Sequence, residues 1–182
     1  MAVFSSGQRC ELREVVLRDK PAEMIAASPK ATVPVLIDTN GEILEESLVI
    51  MHWALGRNDP ENLLTPTRGE KADMLALISQ IDGPFKIHLD RYKYWTRYDE
   101  QDNAMTQNCH REAAVKILQD LEERLKSQQF LFGERLSLAD IAIAPFVRQF
   151  ANTDAKWFTV QPLPKLQSWL DDFINSELFL AC

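Results

Sequence analysis

An α+β chain, mostly α by content, is the fold class this sequence predicts, with a short α/β portion leading into an all-helical one. Three observations carry that reading. Val35-Leu36-Ile37 and Ile43-Leu44 are short apolar runs separated by Asp38-Thr39-Asn40-Gly41, the turn chemistry of a β-hairpin. The stretch GRNDPENLLTPTRGE, from Gly56 to Glu70, is rich in Gly, Pro and Asn and has no periodicity, which marks a connection between two parts. Beyond it the apolar residues recur at helical spacing. The expected division is residues 1–56, a linker over 57–67, and a helical portion over 68–182.

Size and charge narrow the function classes. With 182 residues and 46% hydrophobic content the chain can bury a substantial core. Its 20 Lys and Arg against 27 Asp and Glu give a net charge of -7, the opposite of the clustered basic footprint of a nucleic-acid binder. No apolar run approaches the roughly 20 residues a helix needs to span a bilayer, and no signal peptide precedes the first polar cluster. Cys10, Cys109 and Cys182 are far apart and lack C-x-x-C spacing, so neither a zinc site nor a dithiol pair is expected. His52, His88 and His110 share no metal-ligand spacing either, and no metal is expected. A reduced, cytoplasmic protein is the simplest reading.

Taken in order, Met1 to Gln8 looks like the end of an element, closing in a Ser-Ser-Gly break. Glu11 to Leu17 is expected to be a strand, with Leu12, Val15, Val16 and Leu17 as its apolar members. Lys20-Pro21 breaks it, and Pro21 opens a short helix through Ala27 that ends at Ser28, because the residue before Pro29 is pushed out of the α region. The hairpin follows. Glu46-Ser47 then starts a helix whose apolar residues Leu48, Ile50, Met51 and Leu55 fall at i+3 and i+4 spacing.

In the helical portion, Met74, Leu75, Leu77, Ile78 and Ile81 lie along one broad face before Gly83-Pro84, where a proline removes an internal bond and a kink is expected. The continuation carries Phe85, Leu89, Tyr92 and Trp95. A second helix over Thr106 to Lys126 has the stripe Ala114, Ile117, Leu118, Leu121 and Leu125. Ser137-Leu138-Ala139-Asp140 is a capping box with Asp140 in the place of the usual Glu or Gln, flanked by Leu136 and Ile141 as a hydrophobic staple. The helix it opens is apolar on nearly every side, so it belongs in the middle of the helical portion. A last helix begins near Leu163-Pro164.

Val33-Pro34, Glu46-Ser47 and the Ser137-x-x-Asp140 box, in this order and separation, resemble the glutathione S-transferase family over nearly the whole chain from Glu11 onward. The resemblance implies a thioredoxin-like N-terminal domain and a helical C-terminal domain. It implies that the bond before Pro34 is cis, turning the backbone of Val33 outward to the cysteine of glutathione like a short added strand. Glu46 would meet the γ-glutamyl ammonium, while the Ser47 hydroxyl and the helix-start N–H groups meet its carboxylate. Lys30 would be offered to the glycine carboxylate. Phe85, His88 and Tyr92 would line the pocket for a hydrophobic co-substrate. Glutathione is then the co-substrate, with a small electrophile or a disulfide as its partner and a homodimer as the usual assembly.

One part of the family pattern is not matched. There a strand and a helix precede the strand expected at Glu11 to Leu17, and the reactive Cys, Ser or Tyr lies at their junction. Only about ten residues precede that strand here, fewer than the roughly dozen of a parallel crossover alone. The expectation is therefore a truncated thioredoxin-like portion, in which Met1-Ala2-Val3-Phe4 matches the tail of the family's first helix and the catalytic residue is unknown. The first thirty or so residues should then be irregular or borrow a partner chain. Cys10 does not replace the missing group, having no helix N-terminus behind it to lower its pKa. Three functions remain open: glutathione conjugation or transfer through a thiolate, a noncatalytic binding or structural module of the same fold, and a plain helical interaction domain with a vestigial α/β arm.

Competing plain readings exist for the same residues. Glu46-Ser47 suits a helix start by capping preference and dipole alone. At helical spacing, Phe85 and Tyr92 also suit a core. Ser137 and Asp140 are read as structural.

Overall fold

The computed structural model describes residues 1–98 and 105–182, and the chain separates into two units, Met1–Asn62 and Leu63–Cys182. In the first unit, helix α1 (Ala2–Ser5) packs on α3 (Ser47–Arg57). The Asn58 side chain fastens the contact by donating to the Ser6 carbonyl at 3.0 Å. Between them lie α2 (Ala22–Ala27), which follows Pro21 and ends at Ser28 as expected, and the antiparallel strands β1 (Leu36–Ile37) and β2 (Ile43–Leu44). Leu36 faces Leu44 across the hairpin and Ile37 faces Ile43. Gly41 closes the turn at φ +85°, a backbone that costs glycine little.

The strand expected over Glu11 to Leu17 does not form. Residues 10–15 have no regular structure, and Val16 makes only an isolated bridge to Asp19 across a tight turn. Leu12 is 83% exposed and Leu17 61%. A strand needs a neighbour for its N–H and C=O groups. Among the described residues the only sheet is β1–β2, and nothing in it pairs with this stretch.

The second unit is helical. α4 (Lys71–Gln80) runs into a π-helical turn over Ile81–Phe85 and continues as α5 (Lys86–Lys93), so the expected kink is realised as a widened turn around Pro84, which has no N–H to give. A 3₁₀ turn, Trp95–Arg97, follows. α6 (Gln107–Leu125) begins at Thr106, whose hydroxyl accepts from the Cys109 N–H. α7 (Leu138–Thr153) is buried along most of its length. α8 (Ala155–Thr159) and α10 (Glu177–Leu180), absent from the sequence reading, flank α9 (Pro164–Ile174), which carries its proline in the first turn.

The α7 cap is more than a local device. Asp140 Oδ2 accepts from the Ser137 N–H and hydroxyl at 2.9 and 2.7 Å, while Oδ1 accepts from the Leu131 N–H and from Trp169 Nε1 at 2.9 and 3.0 Å. One buried carboxylate thus ties α7, the preceding loop and α9. Burial pushes the Asp140 carboxyl up from its ordinary value, and the donors from Leu131, Ser137 and Trp169 oppose that push. Glu122 of α6 does comparable work at α9, accepting from the Leu166 N–H at 2.8 Å and the Lys165 N–H at 3.3 Å.

The segment before α4 is fixed to the loop before α7. Thr67 and Arg68 both donate their N–H groups to the Phe132 carbonyl, at 3.1 and 3.0 Å. Gly133, at φ +118°, leaves room for this. A Cβ there would lie 2.0 Å from Thr67 Oγ1.

Candidate functional site

The site builds up on the first unit, from a loop and a helix start. Ser28, at the end of α2, accepts at its carbonyl from the Ala31 N–H at 2.8 Å, closing a turn with Pro29 in its first central position. Ala31 leaves the turn at φ +52°, and the chain then runs through Thr32 to the Val33–Pro34 peptide, which is cis. Val33 is 46% exposed. Its N–H and C=O have no hydrogen-bond partner among the described residues.

Glu46 and Ser47 sit side by side at the mouth of α3, Glu46 as the N-cap residue and Ser47 as the first helical one; both are exposed. The plain capping reading does not describe what the Glu46 side chain does, because it makes no cap hydrogen bond. Instead it faces Lys30 Nζ at 3.6 Å. The same ammonium lies 3.4 Å from Glu45. Lys30, which the resemblance would give to a glycine carboxylate, is shared between two acids of the protein, and Glu45 chiefly holds it above its ordinary pKa.

Two residues that the sequence reading left aside hold this region together. Asp38, buried at the end of β1, accepts from Trp53 Nε1 at 3.1 Å and from the Thr39 N–H at 2.6 Å, and it pairs with the Arg57 guanidinium, which also stacks on the Trp53 ring at 4.5 Å. The Trp53 N–H is the main reason that the Asp38 carboxyl lies below its ordinary pKa, with burial opposing and Thr39 and Arg57 assisting. The hairpin is thereby anchored to the last turns of α3. The second residue is Glu45, which takes the Ser28 hydroxyl at 2.6 Å. Asp38 reads in sequence as a turn residue, and Glu45 as one more acid. Neither signals a partner fifteen or more positions away.

The proposed co-substrate residues are placed differently. Phe85 is fully buried and Tyr92 is 5% exposed, both against Phe150 at ring separations of 5.7 and 5.5 Å. They are spent on the core of the second unit, as their helical spacing alone would have it. His88 is partly exposed, and its Nδ1 lies 2.9 Å from His110 Nδ1. Burial is the main cause that lowers both histidines, helped at His88 by Arg91 and at His110 by His88 and Arg91. Cys10, Cys109 and Cys182 are exposed free thiols, and Cys10 sits in the irregular stretch. Among the described residues no group of His, Cys, Asp and Glu has metal-binding geometry, and no helix is long and apolar enough to cross a membrane.

A small cis-proline unit with an acid–hydroxyl pair at a helix mouth, followed in sequence by a helical unit built on a buried capped helix, defines a glutathione-transferase-like architecture. Sequence comparison agrees: the profile of the glutathione S-transferase N-terminal domain matches residues 2–62, and that of the C-terminal domain matches residues 79–172. The chain belongs to the glutathione S-transferase family. It is 24% identical over 181 residues to the probable glutathione S-transferase parA of Nicotiana tabacum, covering 97% of this chain and 79% of that one. It is also 29% identical over 147 residues to elongation factor 1-gamma of Schizosaccharomyces pombe, covering 79% of this chain but only 35% of that protein. Among solved structures, the glutathione transferase URE2P6 from Phanerochaete chrysosporium in complex with oxidized glutathione superposes with a TM-score of 0.82 at 17% identity, over 99% of this chain and 86% of that one. A bacterial transferase, BphK, in a ternary complex gives 0.78 at 21%, over 99% and 88%. These likenesses establish the fold.

Proposed function

We propose that this chain binds glutathione on its first unit, with Val33, Pro34, Glu46 and Ser47 as the binding residues. The observation that carries the reading is the unpaired main chain of exposed Val33 beside the cis peptide, on the same unit as an exposed acid–hydroxyl pair. The two N–H and C=O groups of Val33 suit the cysteinyl amide of an extended peptide. Glu46 suits an ammonium, and the Ser47 hydroxyl with the free N–H groups of the first turn of α3 suits a carboxylate. An α-amino acid end carries both charges on one carbon, which is why acid and hydroxyl are adjacent. Solved relatives of the same fold are described with glutathione bound.

Chemistry on the glutathione sulfur, either conjugation to a small electrophile or transfer to a disulfide, is the family's activity, and the named transferases among the relatives support it here. A noncatalytic glutathione-transferase-like module, binding or structural, is the second reading. It is favoured by the match to elongation factor 1-gamma, a relative named as an elongation factor and not as a transferase.

The test is retention on immobilised glutathione followed by elution with free glutathione, together with a conjugation assay on a chromogenic electrophile. Retention is expected for the wild-type chain and is expected to be lost in the double variant Glu46→Ala, Ser47→Ala. Retention that survives this double variant refutes the site, and turnover decides between the two readings.

A further inference from the structure

The proposed site is assembled from two pieces of chain: the loop that carries Val33–Pro34 and the helix mouth that carries Glu46–Ser47. Their separation is set by neither the hairpin register nor the helix itself, because the loop enters from α2. Its root is Ser28, which is fully buried and held at three points. The N–H of Ser28 donates to the Met24 carbonyl, and its carbonyl takes the Ala31 N–H, both at 2.8 Å. The third point is the hydroxyl, which donates to Glu45 Oε1 at 2.6 Å. The other Glu45 oxygen, Oε2, lies 3.4 Å from Lys30 Nζ, two residues further along the same loop. The Ser28 hydroxyl is the chief influence that holds the Glu45 carboxyl below its ordinary pKa, with burial opposing and Lys30 assisting.

We infer that Glu45 is a positioning residue of the glutathione site, a clasp whose two oxygens take Ser28 and Lys30 and so hold the Val33 loop in place beside Glu46–Ser47. The inference rests on the glutathione reading above for its ligand, but the clasp itself is independent of that ligand. A charge-assisted hydrogen bond from a fully buried hydroxyl is short and directional. The loop needs such fastening. Ala31 stands at φ +52°, a left-handed backbone that a Cβ makes unfavourable, and the segment has no sheet neighbour at Val33. Lys30 adds a consequence. Its ammonium also faces Glu46 at 3.6 Å, so an incoming α-ammonium competes with Lys30 for Glu46, and Glu45 gives the displaced lysine a carboxylate to keep. Between exposed groups that competition is weak, which leaves the Ser28 bond as the main part of the clasp.

Two measurements on Glu45→Ala, Glu45→Gln and Ser28→Ala test this. The first is amide hydrogen exchange of the unliganded protein, and the second is glutathione affinity by calorimetry. Glu45→Ala is expected to raise exchange several-fold at the hydrogen-bonded amides of residues 28 and 31, at the root of the loop, and to weaken glutathione by about tenfold. Glu45→Gln keeps an acceptor for the Ser28 hydroxyl but loses the charge and the partner of Lys30, and should fall between wild type and Glu45→Ala in both. Ser28→Ala, the milder substitution should Glu45→Ala fail to fold, is expected to follow Glu45→Ala in direction. Unchanged exchange at the amides of residues 28 and 31 in both alanine variants overturns the clasp. Raised exchange with unchanged affinity overturns the positioning role. A wild-type chain that binds no glutathione, with raised exchange in the variants, overturns the glutathione reading and the positioning role while leaving the clasp as a fastener.

Discussion

The two units of this chain are held together in different ways. In Met1–Asn62 the buried apolar residues among those described are Ala2, Leu44, Ile50, Ala54 and Leu55, whereas Leu12, Val16, Leu17, Ile37, Ile43 and Val49 stand open to solvent. In Leu63–Cys182, large side chains such as Phe85, Met74, Ile81, Leu118, Phe132 and Phe150 are closed off from solvent around α7. The first unit depends on single polar ties, Asp38 to Trp53 and Arg57, and Glu45 to Ser28. In the second unit the polar ties are sunk in a continuous apolar core. The proposed ligand groups all lie on the unit with the thin core. Segments that must admit a ligand have few buried contacts and open at low free energy, and the first unit has that composition.

The largest effect expected from one substitution is in the thick core. Asp140→Ala removes the acceptor of four hydrogen bonds and leaves the N–H groups of Leu131 and Ser137 and the Trp169 Nε1–H buried without partners. At roughly 1–3 kcal/mol for each orphaned group, non-additively, the loss should be about 4 kcal/mol in urea unfolding. Asp140→Asn, which keeps one acceptor oxygen, should lose less. A loss under about 1 kcal/mol for Asp140→Ala would show that the core alone carries the second unit. In the first unit the matching variant is Asp38→Ala, which frees Trp53 and Arg57. It is expected to raise amide exchange in the hairpin and in α3 and to abolish retention on glutathione.

A smaller, pH-dependent effect belongs to the pair His88 and His110. Both are lowered in the folded chain, chiefly by burial, so the unfolded state binds more protons. The contribution of each neutral ring is fully present above the unfolded histidine pKa of about 6.5 and is lost as pH falls through the lower folded value. Thermal midpoints should therefore drop between about pH 7 and 5, and His110→Phe should flatten that slope. The smallest change is at the exposed start of α6. Thr106→Ala removes the hydroxyl that caps the Cys109 N–H and should cost about 1 kcal/mol in the same urea experiment.

What could be read from the sequence was local chemistry. The hairpin turn at Asp38 to Gly41, the helix mouth at Glu46–Ser47, the interruption at Gly83-Pro84 and the Ser137–Asp140 box each occupy a few adjacent residues, and each is found at its expected position, the interruption as a π-helical turn. The strand expected at Glu11 to Leu17 is absent because a strand is completed by its neighbour, and Val15-Val16-Leu17 has apolar content without a partner. The fate of Phe85 and Tyr92 was likewise non-local, decided by Phe150 across the helical unit. The ties at Asp38 and Glu45 span 15 and 17 positions, and no spacing rule announces them. Helices α8 and α10 are too short to show periodicity.

We propose that the thin-cored unit holds glutathione through the main chain of Val33 and the mouth of α3. Titrating labelled protein with glutathione while following backbone amide resonances tests it most directly. Saturable shifts are expected at Val33, Ser47 and Leu48, with the α7 amides unmoved. Shifts that bypass Val33 and Ser47, or none at millimolar glutathione, would contradict it.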